Sequence, residues 1–284
     1  MSPHKLPDGN VQIGLSGGRT SAYMLHEILL ANGDLPERVV VSFQNTGREM
    51  PQTLDFVQEI GLRWGVQIIW LEFRPEAPYF EQVSHNSASR DGEPFEALIR
   101  RRRFLPNQQA RFCTTELKVR AAKRYLRSLG WEHWTNACGI RADEPARLGR
   151  PAPRDRWTQW HPLAAAGVGK QHVAHFWADQ PFDLRLPNVG GKCWLGNCDG
   201  CFLKSEANLA ALARDYPDRH AWWERMEALA TELSRAKGMT PGRGAWWSKR
   251  YTRRDLRDFM ERQGDWALST EDALCQANDG ECFA

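Results

Sequence analysis

Apolar residues in the first half of the chain gather in short β-branched runs at 11–15, 38–43, 66–73 and 133–139. Short apolar runs bounded by turn residues read as buried strands. Between them, at 20–31, 52–64 and 115–129, apolar positions recur at three- and four-residue steps, the period of an amphipathic helix. This alternation predicts βαβ units and an α/β fold with a doubly wound, mostly parallel sheet. The segment 145–162 carries four prolines and several arginines and is expected to be a loop covering a site. A short helix is expected at 170–180. From 186 the pattern changes to a Gly and Cys cluster ending at 201, then helices near 205–216, 217–237 and 252–263, then a loose tail from 268. No internal repeat is visible. The chain thus divides into an α/β domain at 1–190 and a cysteine-bearing helical extension with its tail at 191–284.

Composition narrows the class. Of 284 residues, 42% are hydrophobic and 26% charged, and 38 Lys and Arg against 35 Asp and Glu leave a net charge of +3. Those values are ordinary for a globular protein and exclude collagen-like, coiled-coil or disordered chains. No apolar run approaches the roughly 18 residues a membrane helix needs, and the first residues lack a signal-type apolar stretch. A cytoplasmic protein with no membrane partner is expected. In a reducing compartment the seven cysteines, at 113, 138, 193, 198, 201, 275 and 282, fit metal or redox groups better than disulfides.

The most informative segment runs from Val11 to Leu25: a strand leads into Ser16-Gly17-Gly18, and a helix starts directly after. Two glycines let the backbone turn tightly and approach a ligand, while the free amides and dipole of a helix start favour an anion. Ser16, Thr20 and Ser21 add hydroxyls, so a phosphate suits the turn. A Walker loop would need Gly-Lys-Ser/Thr and a dinucleotide fingerprint a third glycine, and neither is present. The plainer alternative is an ordinary glycine turn between strand and helix.

Five ordered elements carry a family resemblance. Ser16-Gly17-Gly18-Arg19-Thr20-Ser21 resembles the SGGxxS loop of the PP-loop superfamily, the adenine nucleotide alpha hydrolases. Within it the chain most resembles the phosphoadenylylsulfate (PAPS) reductase family. Asn45-Thr46-Gly47 is similar to that family's segment after the second strand, and Arg111-Phe112-Cys113-Thr114-Thr115-Glu116-Leu117-Lys118 to its Arg-x-Cys-x-x-x-Leu-Lys element. Gly139-Ile140-Arg141 is similar to its Gly-x-Arg, and Pro162-Leu163 to its late Pro-Leu. The resemblance implies a PP-loop-like fold whose 16–21 loop (Ser16, Gly17, Gly18, Arg19, Thr20, Ser21) holds the phosphates of an adenine nucleotide, adenylyl sulfate or ATP. Asn45, Gly47, Glu49 and Gly139 would lie beside the nucleotide or its Mg2+. Arg111, Lys118 and Arg141 would neutralise the anion, a task suited to their charge and fork geometry; a solvated salt bridge is the alternative for each.

Cys193, Cys198 and Cys201 follow C-x4-C-x2-C spacing, with Gly196 and Gly200 letting the backbone fold around a shared centre. Thiolates suit iron–sulfur clusters or zinc, and spacing alone admits a [2Fe-2S] as well as a [4Fe-4S] cluster. The resemblance implies [4Fe-4S], with Cys113 as fourth ligand. Iron–sulfur members pair two adjacent cysteines at that element; Thr114 stands in the second place here, so Cys193 would supply the missing thiol. Cys138, in an apolar strand, reads as a core residue. The tail Glu281-Cys282 resembles the mobile Glu-Cys of sulfonucleotide reductases, which makes Cys282 the candidate nucleophile. That family's next residues, Gly-Leu-His, are Phe283-Ala284 here. Cys275 offers a resolving partner.

Residues 100–127 hold ten Lys or Arg and one acid, Glu116, and 243–257 place Trp246 and Trp247 among six cations. Such stretches suit nucleic acid, though a solvated helix face explains them as well. Thirteen tryptophans serve core packing or a substrate cleft. Three functions follow. One is a reductase that turns an adenylyl sulfate into sulfite through Cys282, with a thioredoxin-like thiol reductant. Another is an ATP-cleaving adenylation or sulfur-transfer enzyme, favoured by the intact Ser-Gly-Gly. The third is a non-catalytic nucleic-acid-binding module.

Overall fold

In the computed structural model, which describes residues 2–148, 156–189, 192–236, 238 and 244–263, the all-buried strand β1 (Val11–Gly14) lies inside a six-stranded sheet. It pairs in parallel with β2 (Val39–Asn45) on one side and β5 (Trp134–Ala137) on the other. Outside β2 come parallel β3 (Ile68–Phe73) and antiparallel β4 (Phe80–Val83); outside β5 comes parallel β6 (Trp157–Trp160). The order is β4-β3-β2-β1-β5-β6. The chain leaves β1 toward β2 and later returns to β1's other side, which makes the β1/β5 boundary the topological switch point.

Side-chain alternation gives the sheet two different faces. The face bearing Ile13, Val41 and Phe43 is covered by α1 (Arg19–Asn32) and α2 (Pro51–Arg63). Against these pack α5 (Pro162–Ala165) and α6 (Lys170–Ala178); Tyr23, Phe56, Trp64, Phe176 and Trp177 interlock within 6.1 Å between ring centroids. The opposite face bears Gln12, Ser42, Gln44 and Asn136. It meets a continuous helical segment made of a π-helical stretch, Thr114–Arg120, running into α4 (Ala121–Ser128), with α3 (Glu93–Arg102) beside it.

Beyond the sheet come the hairpin β7 (Asn188–Val189) and β8 (Lys192–Cys193), then α7 (Glu206–Asp215), α8 (Pro217–Arg235) and α9 (Arg253–Gln263). These helices share the sheet domain's core: Trp222, Trp223 and Trp247 surround Phe95 of α3 at 5.6, 5.8 and 6.0 Å. Trp247 is therefore a core residue and offers no platform for a nucleic-acid base, while Arg243 lies outside the described residues.

The expected doubly wound α/β fold is present, and its predicted strands and helices fall within a few residues of their places. The segment 145–162 departs from the expected plain loop. It holds a 3-10 turn at Pro145–Arg147 and ends in strand β6, which the β5 backbone recruits residue for residue from Trp134↔Trp157 to Ala137↔Trp160. Cys275, Cys282 and the rest of the tail lie outside the described residues. Among the described residues no helix is long and apolar enough to cross a membrane.

Candidate functional site

The 16–21 loop is organised by its own hydroxyls. The Ser16 amide donates to Ser21 Oγ at 3.1 Å, and Ser21 Oγ donates to the Gly18 carbonyl at 3.0 Å. With that proton committed, Ser16 Oγ is the donor in its 2.9 Å contact with Ser21 Oγ. Gly17 sits at φ +80, and a Cβ there would stand 2.5 Å from Thr53 Cγ2. Helix α1 starts at Arg19 with no side chain capping it, so its first amides have no partner within the helix. The loop therefore presents backbone donors with positive dipole behind them.

Strand β5 delivers a further positive charge to the same place. Gly139 follows it and crosses α1 so closely that a Cβ would lie 3.0 Å from Ser21 Cα. Two residues on, the buried Arg141 donates to Thr20 Oγ1 at 3.3 Å and to Asp143 at 2.9 Å, while its amide donates to the buried Glu144 at 3.1 Å. Arg141 is thus fixed against Thr20 of the 16–21 loop at the switch point. Arg19 faces elsewhere: it forms a two-pronged ion pair with Asp183, with Nε at 2.7 Å from the carboxylate.

Asn45, Gly47 and Glu49 lie at the C-terminal end of the neighbouring strand and hold one another. Asn45 Nδ2 donates to Glu72 at 2.6 Å and to the Ser89 carbonyl at 2.8 Å, and its Oδ1 accepts from the Gly47 amide at 3.1 Å. Glu49 accepts from the Thr46 amide at 2.9 Å and from Thr46 Oγ1 at 2.8 Å. Asn45 and Glu49 are buried, so their side chains shape this turn from within.

The cysteine segment is fastened to that turn. Asp199, between Cys198 and Cys201, has no exposure; it accepts from Arg48 at 2.7 Å, from Trp223 Nε1 at 2.8 Å and from the Gly200 amide at 2.7 Å, and also pairs with Arg219. Its amide donates to the Arg48 carbonyl at 2.9 Å. Sequence reading missed Asp199, Arg48, Arg219 and Arg253, because each acts through partners distant along the chain. Cys113, Cys198 and Cys201 line one narrow pocket together with Thr46, Thr114 and Lys118, and Thr46 Oγ1 lies 3.4 Å from Cys198 Sγ. Cys193 is not among that pocket's lining residues; burial pushes its thiol pKa up, against the pull of Lys204. Among the described residues no three His, Cys, Asp or Glu side chains stand so as to hold a metal ion. Around the pocket, however, buried guanidinium nitrogens lack partners: Arg48 Nε, Arg111 Nε, and Arg253 Nε and Nη1. Buried N–H groups without an acceptor are costly even on guanidiniums that are otherwise bonded, as Arg48 is to Asp199 and Arg253 to the Gly200 carbonyl, and a thiolate-rich anionic centre is the kind of group that would satisfy them.

Lys118, buried in the π-helical stretch, lines this pocket and also a second cleft of about 190 Å3 on the polar sheet face. Gln12, Gln44, Asn136, Cys138, Ile140 and Gln159 form its floor. Gln12 and Gln44 each donate to Ser42 Oγ at 2.9 Å. Cys138 therefore lines this cleft; burial pushes its thiol up to about 11, so it stays protonated near neutrality. The expected sites thus fall into one group of the 16–21 loop with Arg141 and Gly139, and one around Cys113, Cys198 and Cys201, and Lys118 belongs with the second. Cys282 lies outside the described residues.

No family model matches the chain. It is 29% identical over 212 residues to the uncharacterized nin region protein ORF290 of Escherichia phage lambda, a likeness spanning 72% of this chain and 69% of that protein. Among solved structures it is similar to phosphoadenylyl-sulfate (PAPS) reductase from Candida auris in a phosphate complex, at TM-score 0.42 and 17% identity, covering 67% of this chain and 88% of that one.

Proposed function

We propose that the chain binds an adenine nucleotide with its phosphates on the 16–21 loop and performs sulfur chemistry beside it, as a PAPS reductase-like enzyme. One observation supports this reading above the others: β1 and β5, adjacent across the switch point, bring Thr20, directly after the Ser-Gly-Gly turn, and the buried Arg141 into contact. Crevices at such points, at the carboxyl ends of parallel strands, are where open α/β sheets bind ligands. Arg141 and the helix start neutralise phosphate, and Lys118 supplies a cation between the nucleotide and the thiols.

The residues that would hold a [4Fe-4S] cluster are Cys113, Cys198 and Cys201, which share one pocket, with Cys193 as a fourth thiol that would have to turn in from outside that pocket and Arg48, Arg111 and Arg253 balancing the charge. When bound, such a cluster supplies a polarising or electron-carrying centre. In the reductase reading the Cys282 thiolate attacks the sulfur of an adenylyl sulfate. The S–O bond breaks, AMP or its 3'-phosphate leaves, and a thioredoxin-like dithiol then releases sulfite and becomes a disulfide. The intact loop favours a second reading, in which ATP is cleaved between its α and β phosphates to adenylate an acceptor; the inward-turned Asn45 and Glu49 do not offer themselves as ligands for its Mg2+.

Anaerobically prepared protein incubated with ATP, adenylyl sulfate or its 3'-phosphorylated form tests both. Sulfite released from an adenylyl sulfate and abolished by Cys282→Ser supports the reductase; pyrophosphate from ATP supports the second reading. Absence of binding by all three nucleotides would sink the proposal.

A further inference from the structure

The polar cleft opens beside a band of cations that the nucleotide reading does not use. Arg120, at the end of the π-helical stretch, and Arg124 and Arg127, on α4, follow one another at helical spacing along one side, with 50%, 26% and 37% side-chain exposure. From α3, Arg101 and Arg102 lie alongside. These arginines are held in place from beneath. The buried Glu116 carboxylate takes Arg102, Arg120 and Arg124 together, and Tyr79 lies between Arg101 and Arg124 with its ring centroid 4.6 and 4.8 Å from their guanidinium carbons. One carboxylate cannot neutralise three guanidiniums, and each guanidinium has five N–H groups, so charge and donors remain for a partner. Fixed guanidiniums in a row suit a chain of phosphates.

Lys123, one position from Arg124, leans toward the cleft and lies 5.7 Å from the centroid of the Trp157 ring. Trp157 stacks on Trp134 at 5.5 Å, and both rings line the cleft. Trp134 Nε1 is buried without a partner. Asn136 and Gln159, adjacent in register on β5 and β6, present carboxamides to the same space. An orphaned indole donor, two amides and an aromatic wall match the edge and face of a nucleobase.

We propose that this face binds a single-stranded nucleic acid: the backbone follows the α3–α4 arginines, and one unpaired base enters the outer end of the cleft beside Trp157, where Asn136, Gln159 and Trp134 Nε1 meet its edge. Lys123 moves from the Trp157 ring to a phosphate as the base arrives. A base paired in a duplex does not reach this recess. The surface uses none of the 16–21 loop and stands whether or not that loop holds a nucleotide.

Fluorescence anisotropy of a labelled mixed-sequence oligonucleotide, single-stranded and duplex, titrated with the full chain over a range of salt, tests it. Single strands bind more tightly than duplex, with steep salt dependence. The double variant Arg120→Glu, Arg127→Glu lowers affinity by at least about tenfold at low salt and shallows the log–log salt slope by about two. Trp157→Leu weakens binding roughly tenfold with the slope unchanged, because stacking carries no counterions. Far-UV circular dichroism of each variant, matching the parent, verifies the fold. Ser21→Ala leaves oligonucleotide binding intact while ATP binding weakens, so failure of the two sites is separable. No binding at low salt, duplex binding as tight as single strand, or affinities unmoved by either set of substitutions would overturn the proposal. A poly-glutamate chain binding as tightly as the oligonucleotide would do so as well.

Discussion

The 16–21 loop and the 198–201 turn are both short, glycine-containing and placed at the candidate site, yet they are stabilised in opposite ways. The side-chain bonds made within the loop join residues at most five apart, Ser16 to Ser21 and Ser21 to Gly18, and only its helix end is tied from afar, by Arg141 to Thr20, Asp183 to Arg19 and Trp177 to the Arg19 carbonyl. The turn is held by Arg48, Arg219, Trp223 and Arg253, which lie 151, 20, 24 and 53 residues from their bonding partners in it. A locally bonded loop takes its shape as soon as strand and helix meet. The cysteine turn acquires its shape only when the sheet domain and the helical extension have docked. The 16–21 loop is therefore expected to tolerate damage to the extension, whereas the thiol pocket depends on both parts.

The largest effect is expected at Asp199. Asp199→Ala leaves Arg48 and Arg219 beside each other without their shared buried carboxylate, and breaking such a pair by removing one partner costs about 3–5 kcal/mol. Urea denaturation should show that loss, with Asp199→Asn falling between, because an amide oxygen still accepts from Trp223. If Asp199→Ala unfolds at the parent's midpoint, the turn is not held from afar and the contrast with the loop fails.

Next comes His220, which lies under the same turn on α8. Burial pulls its pKa from 6.5 down to about 4, and its Nε2 faces the Arg253 carbonyl at 2.9 Å, where the neutral ring donates. Arg253, Arg257, Glu224 and Asp199 are the charged groups around it. The unfolded chain takes up the proton first, so stability is complete above pH 6.5 and falls as pH drops toward 4, by about 3 kcal/mol if this group acts alone. The stability–pH curve of His220→Gln should be flatter over that window than the parent's. Parallel curves would mean that the extension loosens through other groups.

How legible each region is in the sequence follows from the same difference. The loop is a contiguous string, Ser-Gly-Gly-Arg-Thr-Ser, between a β-branched run and a helical period, and both its shape and its place after the first strand can be read directly. Three cysteines in nine residues likewise announce a cluster. Their fastening does not: Arg48 looks like one more basic residue near Asn-Thr-Gly, and Asp199 like a spacer inside C-x-x-C. Nothing in Glu224 to Arg257 separates Trp247, a core residue against Phe95, from Trp246, which is 42% exposed. Strand β6 escaped reading because its pattern, Trp-Thr-Gln-Trp, is short and flanked by prolines, and only its pairing with β5 makes it a strand. Gln12, Gln44 and Asn136 were hidden because central parallel strands are expected to be apolar on both faces, whereas these polar positions mark where the sheet meets the cleft.

Within the loop itself, Gly17→Ala is the sharper test of local order. The new methyl would press on Thr53 Cγ2 at 2.5 Å, and φ +80 is unfavourable for any L side chain, so a loss of about 2 kcal/mol is expected. Nucleotide affinity, read by calorimetry, should fall with it, while far-UV circular dichroism stays unchanged. A variant as stable as the parent and binding ATP equally well would mean that the loop readjusts freely, contrary to its hydroxyl bonding.

The smallest change expected is at Ser21→Ala. The substitution removes the acceptor for the Ser16 amide and the donor to the Gly18 carbonyl, and keeps helix, volume and charge. A hydrogen bond of this kind contributes about 1 kcal/mol net, and solvent at the half-buried Ser16 can satisfy part of what is lost. Stability should therefore move by about 1 kcal/mol, whereas nucleotide affinity should fall further, because the Ser16 hydroxyl and the loop amides lose the atom that aims them. That ratio separates the two regions of the site. At Asp199 the fold suffers more than binding on the 16–21 loop, and at Ser21 the loop's ligand suffers more than the fold. Equal losses at both positions would show that loop and turn form one cooperative unit.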